Sequence, residues 1–325
     1  MSDPNHYPPS IRPALVRRQT GVELFVTLKT RNCSRAEKNG RCDFCGLGLL
    51  DGNSGSPLHV SEAETQIYGM LEDLRKQGVN PQTILKLSLI SMSDSLLNPK
   101  TIQPAALYRT LELLRHAFSG ILEVSIESRA DMIEAKGLIE VGQEITRLFG
   151  IDSRRQIACG IETADEDVRL STGKGITNLH IYEAATILGQ EGFGLRGYFI
   201  YNMFEHTLPT RRLALMEAIN FMVDITASAG VQPSILILRG YVPADKQDHP
   251  RFRKFSEVSD EIALRDLRLA AVHAKSRRLT LEVDTTVEDQ QSASAILEAG
   301  VNILSPRYIN ALRAYNLSFD PNCLR

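Results

Sequence analysis

The chain has 325 residues, a formal net charge of −2 and 43% hydrophobic residues, enough for a substantial core in one large α/β domain or two smaller ones. The near-neutral balance gives no charge-based reason to expect a nucleic-acid surface, and no run reaches the roughly eighteen apolar residues of a membrane span. Five cysteines in so long a chain do not make a disulfide framework.

The first ten residues are polar and rich in proline, without the apolar centre of a signal peptide. The expected location is therefore the cytoplasm, where thiols stay reduced or serve as metal ligands. Residues 1–20 read as a loose arm. A strand follows over 23–30, and then a loop carries Cys33, Cys42 and Cys45 within thirteen residues. Eight residues separate the first two cysteines and two separate the last pair. Three close thiolates suit a soft metal or an iron–sulfur cluster. A structural zinc site would want a fourth protein ligand, yet the nearest candidate, His59, lies fourteen residues beyond Cys45. Three cysteines that leave one coordination position open favour a [4Fe–4S] cluster that binds a small molecule. Zinc and unliganded thiols are the alternatives.

The rest of the chain alternates helices and strands. Ser61 is the expected cap of a helix to about 77, with Glu64 completing a capping box. Strands are expected over 83–90, 121–126, 156–161, 195–203 and 234–238, with a further one over 279–283 and a short run over 301–304. Helices are expected over 104–118, 131–149, 178–190, 210–229 and 257–277, and near 292–299. Such alternation implies βαβ units and a parallel sheet. Six or more units in a row predict an α/β fold, a partial or complete parallel β/α (TIM-like) barrel. The barrel core is assigned to 21–242, and 243–325 form an extension that completes or caps it. The polar stretch 242–251 reads as a surface loop. In such barrels chemistry sits at the C-terminal ends of the strands, and the cysteine loop leaves the C-terminal end of the first one.

A strand, three clustered cysteines and further βα units resemble the radical S-adenosylmethionine (SAM) superfamily. The ending Cys42-Asp-Phe-Cys45 keeps the usual form. The eight-residue gap resembles the Elongator-type branch and the radical-SAM subunit of archaeosine synthase. Further matches fall at strand ends: Ile126-Glu-Ser-Arg-Ala-Asp131, Gly160-Ile-Glu-Thr-Ala-Asp165 with Gly173-Lys-Gly175, and Gly194-Leu-Arg-Gly-Tyr-Phe-Ile200. The likeness covers residues 23–205.

This resemblance implies a [4Fe–4S] cluster on Cys33, Cys42 and Cys45. The cluster would cleave SAM reductively to a 5′-deoxyadenosyl radical that abstracts hydrogen from a substrate. It implies that Glu127 and Glu162 hold the ribose and amino end of SAM. Lys174 would meet the SAM carboxylate with Arg129 sharing that role, and Phe44 would meet the adenine. Many members carry a Gly-rich turn after the second strand. Here that turn is Ser91-Met-Ser-Asp-Ser95, in which Ser91, Ser93 and Asp94 offer acceptors to an ammonium group.

Arg239, Tyr198 and Cys323 are the candidates for substrate chemistry, and Arg239 reads equally as a buried ion-pair partner of a barrel glutamate. Tyr201 and Asn202 lie near C-terminal strand ends, where alternate positions should face the barrel interior; Glu282 and Asp284 carry the same two readings as Arg239, and Cys159 reads as a small buried hydrophobe. A small-molecule substrate and an external electron donor of flavodoxin or ferredoxin type are the expected partners. A tRNA nucleoside as substrate is the alternative that the resemblance suggests and the charge does not favour. A non-catalytic zinc or scaffold barrel is the third reading.

Overall fold

The computed structural model describes residues 13–31, 33, 42, 56–91, 95–203, 208–238, 258–284 and 305–324. Their strands form one eight-stranded sheet in sequence order, β1 (Ala14–Arg18), β2 (Gly21–Leu28), β3 (Ile84–Ser91), β4 (Glu123–Ser128), β5 (Arg154–Glu162), β6 (Gly194–Ile200), β7 (Pro233–Leu238) and β8 (Thr280–Val283). All neighbours from β2 to β8 are parallel, and β1 alone runs antiparallel, paired to β2. The helices are α1 (Val60–Lys76), α2 (Pro104–Ala117), α3 (Ala135–Phe149), α4 (Glu166–Ser171), α5 (Asn178–Gln190), α6 (Leu208–Ala229), α7 (Asp260–Ser276) and α8 (Pro306–Ser318). The result is a curled, mostly parallel half-barrel with helices outside, the α/β class that the alternating pattern predicts.

Period-two alternation decides what each strand puts where. Leu24, Val26 and Leu28 of β2 join the main core under the helices, whereas Phe25 packs with Ala14, Val16 and Ile90 on the inner face. Ala158, Tyr198 and Leu236 form a separate inner cluster on β5–β7.

Ala14–Arg18, expected within the loose arm, is instead a strand. A two-residue turn at Gln19 and Thr20 joins it to β2, and Gly21 sits there at φ 137°. Gln-Thr carries none of the Asn-Gly signature of tight hairpins. Helix α1 starts one residue before Ser61. The backbone N–H of His59 donates to Glu62, and Glu64 instead receives Arg109 from α2 at 2.7 Å. Helix α8 was not expected. It packs against both β1 and β8, the two edges of the sheet. The buried Asn316 side chain accepts from Val283 N–H (3.0 Å) and donates to Val283 C=O (2.8 Å), occupying the free edge of β8. The expected elements near 292–299 and 301–304, and the loop 242–251, lie outside the described residues.

The N-terminal half of the inner face is ionic. Glu23, Lys86, Glu123 and Arg154 stand in one register row across β2–β5, with alternating charge, a favourable cross-strand arrangement. Arg196 from β6 reaches Glu23 at 2.6 Å and Glu282 at 2.5 Å, while Arg18 reaches Glu23 at 2.8 Å and Glu282 at 3.5 Å. These side chains tie the two sheet edges together across the interior. Burial alone would raise the Glu23 carboxyl, but Arg196, Lys86 and Arg18 outweigh it and hold Glu23 well below the usual carboxylate range.

Candidate functional site

At the opposite, C-terminal end of the strands, β5 finishes at Glu162, a non-glycine residue with φ 70°. This strained backbone turns the Glu162 side chain back over Gly160. A Cβ at Gly160 would lie 2.5 Å from Glu162 Oε1 and 2.8 Å from Lys174 Nζ. A larger residue there would displace the ion pair from this position. Lys174 Nζ donates to Glu162 Oε1 at 2.7 Å, and the two side chains are 12% and 10% exposed. Burial works against the ammonium charge, but the Glu162 carboxylate and the Cys42 sulfur together outweigh it, and the proton affinity of Lys174 is raised.

The loop between Glu162 and Lys174 is built around Arg169, whose side chain is fully buried. Its guanidinium donates to the Ile176 carbonyl at 3.0 Å, to the Thr163 carbonyl and to Asn178 Oδ1. It also lies 5.5 Å from the Phe221 ring centroid. Asp165 caps α4 by accepting from Val168 N–H. Gly173 and Gly175 take φ values of 77° and 65°, which carry the chain around Lys174.

Cys42 meets this loop. The Cys42 thiol lies 3.6 Å from the Gly173 carbonyl, and its sulfur adds to the raised proton affinity of Lys174. Cys33 and Cys42 are both partly buried and free of disulfides. Cys45, Phe44, Ser93, Asp94 and Arg239 lie outside the described residues, and no group of three metal-ligating side chains is complete among the described ones.

Glu127, at the end of β4, accepts from the backbone N–H of Ser91 at 2.8 Å. Ser91 Oγ pairs with Thr30 Oγ1 at 2.7 Å, so the ends of β2, β3 and β4 are linked side by side. Arg129 follows the end of β4. It forks onto Asp131 at 3.0 and 2.9 Å and donates to the Lys174 carbonyl at 3.2 Å, which braces the Lys174 loop from β4. Thr30, Asp131 and Arg169 are the residues that sequence reasoning missed. For Asp131 the signal was its two-residue spacing from Arg129.

The remaining candidates separate. Tyr198 faces the barrel interior, 7% exposed, and its hydroxyl is buried without a hydrogen-bond partner. Tyr201 points instead into the helical layer, where its hydroxyl donates to the buried Asp266 of α7 at 2.7 Å. Glu282 belongs to the ionic floor. Cys159 is 1% exposed on the helix-facing side, and burial pushes its thiol up to about 12. Cys323 follows α8, sits 3.4 Å from Ser318 Oγ and packs against the main core. Phe319 lines the N-terminal mouth of the barrel.

No family model matches the chain, and no curated protein sequence does. Solved structures do. Methylornithine synthase (PylB) aligns with a TM-score of 0.48 at 11% identity, covering 83% of this chain and 73% of that one. Elp3 of the archaeon Methanocaldococcus infernus aligns at 0.47 and 12% identity, covering 86% and 64%. Coproporphyrinogen III oxidase (HemN) of Escherichia coli, a radical SAM enzyme, aligns at 0.45 and 14% identity, covering 78% and 52%. The chain thus spans less than two thirds of the length of Elp3 and of HemN. Among the described residues no helix is long and apolar enough to cross a membrane.

Proposed function

We propose that this chain is a radical SAM enzyme acting on a small molecule in the cytoplasm, with Cys33, Cys42 and Cys45 as the ligands of a [4Fe–4S] cluster. The observation that carries this reading is the contact of Cys42 with Gly173, beside the Lys174–Glu162 pair. It joins the thiol loop after β2 to the charged loop after β5 at the C-terminal end of the strands, where β/α barrels carry chemistry.

The donor set fits the group. Cys33 and Cys42 are partly accessible thiols, and thiolates are the ordinary ligands of such clusters. Bound there, the cluster would supply the electron that splits SAM into methionine and the 5′-deoxyadenosyl radical.

The chain's own residues bind and orient. Lys174 is kept protonated by Glu162 and offers a cation to the SAM carboxylate. Glu162 and Glu127 offer acceptors to its ammonium and ribose hydroxyls. Arg129 and Arg169 hold the loop that carries Lys174, and the Ser91–Thr30 pair holds the ends of β2 and β3. The Tyr198 hydroxyl, lower in the barrel, offers a polar contact to a substrate. The near-neutral charge favours a small substrate over a nucleic acid, and a flavodoxin- or ferredoxin-type protein is the natural electron source.

Metal and sulfide analysis after anaerobic reconstitution tests the reading. Iron and sulfide in the ratio of a single cubane, lost on replacing Cys42, support it. Zinc in place of iron contradicts it.

A further inference from the structure

We propose that the N-terminal mouth of the barrel, at the far end of the strands from Glu162 and Cys42, is a binding site for a small dianionic oxyanion of the phosphate type.

A cavity of about 220 Å³ opens there, with a wall that includes Arg18, Lys86, Arg154, Arg155, Glu123 and Glu282. That is room for an ion with several waters. Three cations, Arg18, Lys86 and Arg154, face the carboxylates Glu123 and Glu282, and the pair directly behind them, Glu23 and Arg196, is self-compensating. The wall therefore carries an excess of one positive charge in a chain whose net charge is −2. Low-dielectric walls focus such a field.

The second observation is Arg18. Its side chain is 3% exposed and its Nε is bound to Glu23, yet Nη1 and Nη2 have no partner. A buried guanidinium with two idle donors is costly unless an acceptor meets them, and its planar fork is suited to an oxyanion. The nearby carboxylates are already engaged. Glu23 and Glu282 both receive Arg196, and Glu123 receives Lys86 at 2.7 Å. Arg154 is exposed at the rim, and Arg155 lies 5.0 Å from the Phe193 ring centroid at the outer side. An incoming anion would thus be gripped by Arg18 from β1 and by Arg154 from β5. It would bridge strands on opposite sides of the mouth, and its binding would add to the stability of the folded state by linkage.

The test is a calorimetric titration of the full-length protein with inorganic phosphate, matched in ionic strength with chloride. Acetate serves as a monovalent carboxylate arm. Arg154→Gln, Arg18→Gln and Lys174→Met are compared with the unaltered protein. The expected result is saturable phosphate binding at one site, with acetate at least ten-fold weaker. Arg154→Gln weakens phosphate at least ten-fold and Lys174→Met leaves it unchanged. Should Arg18→Gln not fold, the exposed Arg154 decides the outcome alone. Absence of saturable binding would overturn the proposal. So would an affinity indifferent to Arg154→Gln, or one lost in Lys174→Met, which would place the anion at the other end of the barrel. None of these outcomes depends on SAM cleavage.

Discussion

Lys174 and Glu162, twelve residues apart on a loop folded around Arg169, meet at 2.7 Å directly above Gly160. Their partial burial and mutual neutralisation leave a cation and a carboxylate poised at the mouth of the barrel beside a cysteine thiol. A charged amphoteric ligand can share this pair without either side chain being left bare.

Replacing Glu162 with Gln, or Lys174 with Met, should weaken SAM binding by about 1.5–3 kcal/mol, roughly ten- to a hundred-fold in Kd. The iron content should stay unchanged. Gly160→Ala should also weaken SAM binding, because its Cβ would lie 2.5 Å from Glu162 Oε1 and displace the pair. Equilibrium dialysis with labelled SAM reads the effect.

Arg169→Met removes the guanidinium that holds Thr163, Ile176 and Asn178 together. The loss of several buried hydrogen bonds should cost about 2–4 kcal/mol of stability. Arg169 acts through Lys174 as a positioning residue, so SAM affinity should fall while a ligand-free site elsewhere is untouched. Denaturant titration and SAM binding measured on the same variant separate the two effects.

The ionic floor predicts an acid-side dependence. Glu23 is held well below the usual carboxylate range by Arg196, Lys86 and Arg18 against the cost of burial. Its contribution is therefore fully present above the unfolded value and is lost as pH falls toward the folded one. Stability should decline below about pH 4.5, and Glu23→Gln should flatten that decline. Arg196→Met leaves Glu23 buried with less compensation and should cost about 3–5 kcal/mol. Urea titrations across pH report both.

Cys159 sets a matching alkaline limb. Burial pushes its thiol up to about 12, while the unfolded thiol titrates near 8.5. The folded state then holds a proton that the unfolded state releases, so stability should fall as pH rises from about 8.5 toward 12. At pH 8 the native protein should leave Cys159 unmodified by iodoacetamide, and denatured protein should be labelled there. Mass spectrometry of the peptide settles it.

Most of the alternation of strands and helices was legible because most elements carry a local signal. Thr177 caps α5, and its side chain accepts from His180 N–H where the helix begins. Glu127, Glu162 and Lys174 could be picked out only because their segments resemble those of a known superfamily; Glu127 and Glu162 stand at strand ends and Lys174 on the loop after α4. The ionic floor could not be read the same way. Glu23, Lys86, Glu123, Arg196 and Glu282 sit at alternate strand positions that look solvent-facing until the sheet curls and brings them inward. Alternating charge on successive strands was the available signal. The β1 hairpin lacked a turn signature, and Asn316 looks like any helix residue until it meets the edge of β8.

The most direct test of the central claim is the formation of 5′-deoxyadenosine by the reconstituted protein under anaerobic conditions with dithionite and SAM. The protein is predicted to cleave SAM to methionine and 5′-deoxyadenosine. The Cys42→Ala variant should fall to the background of the reagents alone, and Cys159→Ala should retain activity. No cleavage by protein that carries its full complement of iron and sulfide, or equal cleavage with and without the Cys42 thiol, would contradict the account.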